Sequence, residues 1–102
     1  MARYEILEAD KAMLAEANAD IFFELGMMYS IGRSVPTDLV SAHKWFNIAS
    51  MKGHADAARM RREIAGEMTD AEIGQAQRAA RDWLKQTQPA AIAAKDELRA
   101  AA

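Results

Sequence analysis

Cysteine is absent from the 102 residues of this chain, so disulfide bonds and thiolate metal sites are excluded. Proline occurs twice and glycine five times, so few positions interrupt a helix. No apolar run approaches the roughly 20 residues that a membrane-spanning helix needs. Residues 1–16 carry charged side chains throughout, and we therefore expect no signal peptide. These absences favour a cytoplasmic protein that does not enter a membrane.

Charge of one sign is also scarce, because the formal net charge is only -2. So small a net charge argues against broad electrostatic binding to nucleic acid or to anionic lipid. Hydrophobic residues make up 51% of the chain, which is enough for a core, although many of them are small alanines. A chain of this length forms one domain at most.

Helical spacing of apolar side chains dominates what remains. In the segment 38–53, Ala42, Trp45, Phe46 and Ala49 recur at the spacing of one helix face. Thr69 and Glu72 form the sequence of a capping box that begins another helix. The pattern predicts an all-α domain over residues 1–88, with helices at 3–17, 19–32, 37–52, 54–66 and 70–87. The alanine-rich tail 89–102 is either a further helix or a frayed end.

Two pairs of these helices repeat along the chain. The segment that begins at Ala19 aligns with the one that begins at Ala55, and Thr37-Asp38 aligns with Thr69-Asp70. The two offsets are 36 and 32 residues. Repetition of a two-helix unit at such a period is typical of α/α solenoids, in which antiparallel helix pairs stack on their neighbours.

The segment 20–53 closely resembles one complete Sel-one-like repeat, a relative of the tetratricopeptide repeat. Its pattern runs A-x-x-x-L-G-x-x-Y-x-x-G-x-x-V-x-x-D-x-x-x-A-x-x-W-F-x-x-A-A-x-x-G. The matching residues are Leu25, Gly26, Tyr29, Gly32, Val35, Asp38, Ala42, Trp45, Phe46, Ala49 and Gly53. Two positions depart from the pattern: Ile21 or Phe22 stands at the small first position, and Ser50 replaces the second alanine of the closing pair.

The resemblance implies a short solenoid of tetratricopeptide-like type. Helices 54–66 and 70–87 resemble a degenerate second repeat, and the helices at 3–17 and 70–87 would act as caps. Gly26 would let the partner helix approach closely, which offsets a helix-propensity loss of about 1 kcal/mol relative to alanine. Gly32 would end its helix in a left-handed conformation, and Val35 would lie beneath the following loop.

Residue patterns for catalysis are lacking. The chain has no glycine-rich phosphate loop, no H-E-x-x-H and no G-x-S-x-G. His43 and His54 are its only histidines, and two histidines on different helices without a clear third ligand do not make a zinc site. We therefore expect neither enzymatic activity nor a cofactor.

Protein binding is the function that the resemblance implies, in an adaptor or regulatory scaffold. In repeats of this type the first helix of each pair lines the concave surface. The residues that would face a partner are Asp20, Phe23, Met27, Ser30 and Ile31. Methionine adapts to varied partners, and a helix face of this kind suits groove docking. Two alternatives remain: Phe23 and Met27 are core residues under the helix 3–17 or the tail, or the same surface joins two copies of the chain.

Nucleic-acid binding is the other functional hypothesis. Arginines at positions 59 and 62 of one helix and 78 and 81 of the next would form a basic patch if the two helices pair. These residues are Arg59, Arg62, Arg78 and Arg81. Glu63, Glu67 and Asp82 are interleaved with them, and such mixtures are also explained by ion pairs along a solvated helix.

Overall fold

Four α-helices make up most of residues 18–87, the part of the chain that the structure, a computed structural model, describes. They are α1 (Ala19–Ile31), α2 (Leu39–Met51), α3 (Ala57–Ala65) and α4 (Asp70–Thr87). Residues 18–87 contain no β-strand, so the predicted all-α class is confirmed. The predicted helix 3–17 and the tail 89–102 lie outside the described residues.

Side-chain caps begin three of the helices. The Asn18 carboxamide oxygen accepts hydrogen bonds from the backbone N–H groups of Asp20 and Ile21, at 3.1 and 3.3 Å. At the start of α2, an Asp38 carboxylate oxygen accepts from the Ser41 N–H at 3.1 Å. Both caps satisfy backbone donors that the first turn of a helix leaves unpaired.

The predicted capping box is present at the start of α4. The Thr69 backbone N–H donates to the Glu72 carboxylate at 2.9 Å, and the Glu72 N–H donates to the Thr69 hydroxyl at 3.1 Å. Each residue therefore satisfies a backbone donor of the other, and α4 spans the predicted residues 70–87.

Left-handed glycines follow the first two helices. Gly32 has φ 74°, and its N–H donates to the Met28 carbonyl at 2.9 Å. Gly53 has φ 100°. The loop after Gly32 buries Val35, which is 6% exposed, as the pattern predicted. The Asp38 N–H then donates to the Tyr29 carbonyl at 2.9 Å, so the loop returns the chain to the end of α1.

Three helices are shorter in the structure than the sequence predicted. The helices predicted at 19–32, 37–52 and 54–66 cover 19–31, 39–51 and 57–65. Helix α2 starts later because Asp38, and not Thr37, is its N-cap. Helix α3 starts later because residues 54–56 form a turn, in which the His54 N–H donates to the Ala49 carbonyl and the Asp56 N–H to the His54 Nδ1.

Helix α2 is the centre of the arrangement, since it packs against α1, α3 and α4 more extensively than those helices pack on one another. Helices α1 and α2 are antiparallel. Tyr29 at the end of α1 bonds to Asp38 before α2, while Lys52 after α2 places its Nζ 5.6 Å from the centre of the Phe22 ring near the start of α1.

The core has two centres. In the first, Phe22, Trp45 and Trp83 bring rings from α1, α2 and α4 together, with ring centres 5.2–5.9 Å apart. In the second, Phe46 lies with Ala42 and Ile64 between α2 and α3. Helix α4 therefore packs on α1 and α2, while α3 packs on α2. These contacts position the surfaces described below.

Candidate functional site

The predicted partner-binding residues share one side of α1. Positions 20, 23, 27 and 31 are spaced by three or four residues and therefore follow one stripe along the helix. The ends of the stripe are open: the Asp20 side chain is 83% exposed and Ile31 is 58% exposed. The middle of the stripe is less exposed, because its two apolar residues, Phe23 and Met27, are half-buried.

Phe23 is half-buried, because its ring stacks on His54 and also meets the core. The ring centres of Phe23 and His54 are 4.0 Å apart with an interplanar angle of 6°, and the Phe46 ring lies 5.5 Å away. Met27 is half-buried as well and packs against the centre formed around Phe46. The α1 stripe is therefore a partly open surface above the second core centre.

Two polar residues that were predicted to face a partner, Ser30 and Asp20, make contacts within the chain. The Ser30 hydroxyl donates to the Met27 carbonyl at 3.0 Å, a bond that closes within its own helix turn. An Asp20 carboxylate oxygen lies 3.6 Å from the His54 Nε2. His54 thus links α1 to the turn after α2 through both its ring face and its edge.

Two methionines outside α1 pack against the same core centre as this stripe. Met60 of α3 and Met68, just beyond it, are half-buried and pack against the same core centre as Met27. We call these three residues the methionine rim. Their unbranched thioether chains adapt to irregular surfaces, which suits a site that accommodates varied apolar groups.

A groove of about 500 Å³ lies on another side of the molecule, between α2 and α4. Residues of these two helices line it, and no residue of α1 does so. A second groove, of about 590 Å³, runs along the loop before α2 and is lined by residues 36–41 with Tyr29 and Glu72.

Two arginines of the predicted basic patch have different surroundings. Arg59 lies in ion pairs with Asp56 at 3.7 Å and Glu63 at 3.2 Å. Arg81 instead lines the groove between α2 and α4, to which α3 contributes no lining residue.

His43 is the most deeply buried ionisable side chain that can titrate near neutral pH. It is 3% exposed, and its Nδ1 atom has no hydrogen-bond partner among residues 18–87. Burial lowers the pKa of His43 below its ordinary value of 6.5, and the nearby positive charge of Arg61 lowers the pKa further. The neutral imidazole is therefore the form that the folded chain holds.

A pH-dependent loss of stability follows from the lowered pKa of His43. The unfolded chain binds a proton at this residue as the pH falls through 6.5, whereas the folded chain resists it, so the free energy of unfolding decreases toward acid. We expect His43→Gln to flatten this decrease between about pH 7.5 and pH 5. Urea unfolding followed by tryptophan fluorescence measures it. Identical pH slopes for the two proteins would contradict the assignment.

Comparisons with protein-family models, with curated proteins and with solved structures find no match for this chain. Within residues 18–87, no three histidine, aspartate or glutamate side chains come together as a group that could hold a metal ion. No helix in the same part of the chain is long and apolar enough to cross a membrane.

Proposed function

We propose that this chain is a non-catalytic protein-interaction module, a short solenoid of the Sel-one-like type that works as an adaptor or regulatory scaffold in the cytoplasm. The observation that carries the proposal is the apolar character of the partly open α1 stripe. Ile31 is 58% exposed at one end of the stripe, and half-buried Met27 packs against the same core centre as Met60 and Met68.

Close packing at Gly26 supports the repeat assignment. A Cβ atom placed on Gly26 would lie 2.5 Å from Cδ1 of Phe46, so α1 and α2 approach at a distance that only glycine permits. Both residues belong to the repeat pattern at fixed spacing, and the pattern's two left-handed glycines, Gly32 and Gly53, have positive φ angles. The close approach at Gly26 and the left-handed glycines support the proposed repeat.

In the proposed mechanism, an apolar side chain of the partner lies between Ile31 and the methionine rim. Burial of apolar area supplies the free energy, at about 25 cal/mol for each Å² removed from water. Asp20, whose carboxylate is mostly exposed, favours a partner with a positive charge near the start of α1. Phe23 acts mainly as a support, because its ring is held between His54 and Phe46.

Charge introduction at Ile31 tests the proposal with a matched control on the same helix. Ile31→Glu places a carboxylate in the stripe, whereas Ile21→Glu places one at a residue that is 45% exposed on the other side of α1. We expect a tagged chain to retain a partner from host lysate, Ile21→Glu to retain it too, and Ile31→Glu to lose at least about 90% of it. Mass spectrometry identifies the retained protein.

Equal retention by the two variants would overturn the assignment of the α1 stripe. Recovery of the chain alone, lost with Ile31→Glu, would mean instead that this surface joins two copies. Circular dichroism of both variants establishes that each is folded, since both isoleucines lie outside the fully buried core.

A further inference from the structure

The groove between α2 and α4 has an apolar floor. Met51 of α2 is 65% exposed there, one of three large hydrophobic residues that the described part of the chain leaves exposed. Across the groove, Leu84 is half-buried and Ala80 is buried. An exposed methionine opposite a leucine, with a small residue beneath them, provides space for an apolar side chain from outside.

The wall of the groove is positively charged. Arg81 and Lys85 of α4 line it, and both side chains are exposed. From the direction of α3, Arg61 donates a hydrogen bond of 2.6 Å to the carboxamide oxygen of Asn47, which also lines the groove. Two cationic side chains of α4 therefore border the groove, and a third cation, Arg61, contacts one of its lining residues.

No described residue supplies a carboxylate to balance these charges. Within residues 18–87, Arg81 and Lys85 make no ion pair, unlike Arg33, which pairs with Glu24 at 3.7 Å. Helix α2 contains no aspartate or glutamate, and none of the described residues that line the groove is acidic. Asp82 follows Arg81 on α4 but is rotated away from it by about 100° around the helix axis and does not line the groove.

We propose that this groove is a second binding surface, which takes an acidic amphipathic segment of a partner protein. One apolar side chain of the segment lies between Met51 and Leu84, and its carboxylates pair with Arg81 and Lys85. The apolar floor favours a peptide over nucleic acid, whose phosphates would meet the cations but leave the floor exposed. The proposal goes beyond the function proposed above and does not depend on it, because no residue of α1 lines this groove.

Fluorescence anisotropy with synthetic peptides tests the proposal directly. The first probe is a fluorescein-labelled helical peptide of about 16 residues with leucines on one face and glutamates beside them. The second replaces each glutamate by lysine, and the third replaces each leucine by serine. We expect the first peptide to bind at least about tenfold more tightly than either control. Only this peptide offers both apolar side chains to the floor and carboxylates to Arg81 and Lys85.

Two double variants of equal charge change locate the binding. Arg81→Glu with Lys85→Glu should weaken binding of the acidic peptide about tenfold, because two attractions become repulsions. Arg59→Glu with Arg62→Glu alters the net charge equally on α3 and should change it less than about twofold. Ile31→Glu should bind the peptide as the unaltered chain does, which separates this surface from the α1 stripe. If circular dichroism shows that Arg81→Glu with Lys85→Glu is unfolded, Arg81→Gln takes its place.

Several results would overturn the proposal. Equal binding of the first and third peptides would show that the apolar floor contributes nothing, and equal weakening by the two double variants would show that net charge alone attracts the probe. Tighter binding of a DNA duplex than of the acidic peptide, lost with Arg81→Glu and Lys85→Glu, would assign the wall to nucleic acid. A concentration-dependent dimer that disappears with Met51→Ser would assign the groove to a second copy of the chain.

Discussion

Phe22→Ala should lower the free energy of unfolding by about 3–5 kcal/mol, the largest loss that we expect from a single substitution. The Phe22 side chain is 0% exposed. Its ring stacks on Trp45 at 5.9 Å and meets Trp83 edge-on at 5.3 Å, so it joins α1 to both α2 and α4. Alanine would remove these contacts and leave a cavity that the surrounding rings cannot close, because the two tryptophans already contact each other at 5.2 Å.

Urea unfolding measures this loss, with tryptophan fluorescence as the signal. The native emission should change as well, because both tryptophans of the chain border the ring that is removed. The control is Ile21→Ala, one residue earlier, at a side chain that is 45% exposed. We expect the control to lose less than about 1 kcal/mol. Similar losses for the two variants would contradict the role of Phe22 as the link among the three helices.

Gly26→Ala should destabilise the chain by about 1–3 kcal/mol, although alanine is the better helix former. The new Cβ atom would lie 2.5 Å from Cδ1 and 2.6 Å from Cε1 of Phe46. The Phe46 ring is 0% exposed and packs beside Ala42 and Ile64, so it has no free space into which to move. Helices α1 and α2 would have to separate, and the contact that holds α1 in place would weaken.

Gly74→Ala is the matched control, because Gly74 also lies within a helix. Its added Cβ atom would meet only Nη1 of Arg78 at 3.3 Å, the far end of a flexible and exposed side chain. Here the helix propensity of alanine should prevail and stabilise the chain by about 0.5–1 kcal/mol. Opposite signs for the two variants are the expected result of thermal unfolding. Stabilisation by both would show that Phe46 does not restrict residue 26.

The pair Gly26 and Phe46 permits a second check. Phe46→Leu removes the ring that the new methyl group would strike, so Gly26→Ala should lose much less stability in that background than in the original chain. The coupling free energy should be about 1 kcal/mol or more, as for residues in direct contact. A value near zero would show that the two residues act independently.

The capping box of α4 and the glycine that ends α1 are features of the fold that local sequence predicted correctly. Thr69 and Glu72 satisfy each other's backbone donors across three residues, and Gly32 adopts its left-handed conformation within one turn. Interactions of such short range depend little on the rest of the molecule, so their residue types are enough to predict them. The repeat pattern, and not a capping rule, implied that Val35 lies beneath its loop, and Val35 is buried.

The start of α3 was predicted wrongly for a reason that lies outside its own sequence. Ala19-Asp20 and Ala55-Asp56 are identical, yet the first pair begins a helix and the second lies in a turn before one. His54 accounts for the difference: its Nδ1 accepts from the Asp56 N–H while its ring stacks on Phe23 of α1. The aromatic partner lies 31 residues earlier in the chain, and no local pattern includes it.

The same distinction between local sequence and long-range packing applies to the candidate surfaces. The resemblance to the repeat implied that residues 20, 23, 27 and 31 face a partner, and their spacing places them on one side of α1 because 3.6 residues complete a turn in any α-helix. The degree to which Phe23 and Met27 are covered depends on His54 and on Phe46, which other helices and turns bring to them. Periodicity specifies which residues share a face, whereas burial depends on what packs against that face.

The groove between α2 and α4 had no counterpart in the sequence patterns. Arg81 and Lys85 have the spacing of ordinary solvated charges, and Met51 is a single methionine near a helix end. They meet because Trp83 joins the aromatic core beside Trp45, which places α4 along α2 across two intervening loops and α3. Caps and turns are governed by energies between near neighbours in the chain, but a shared groove requires long-range burial, and only the packed helices specify it.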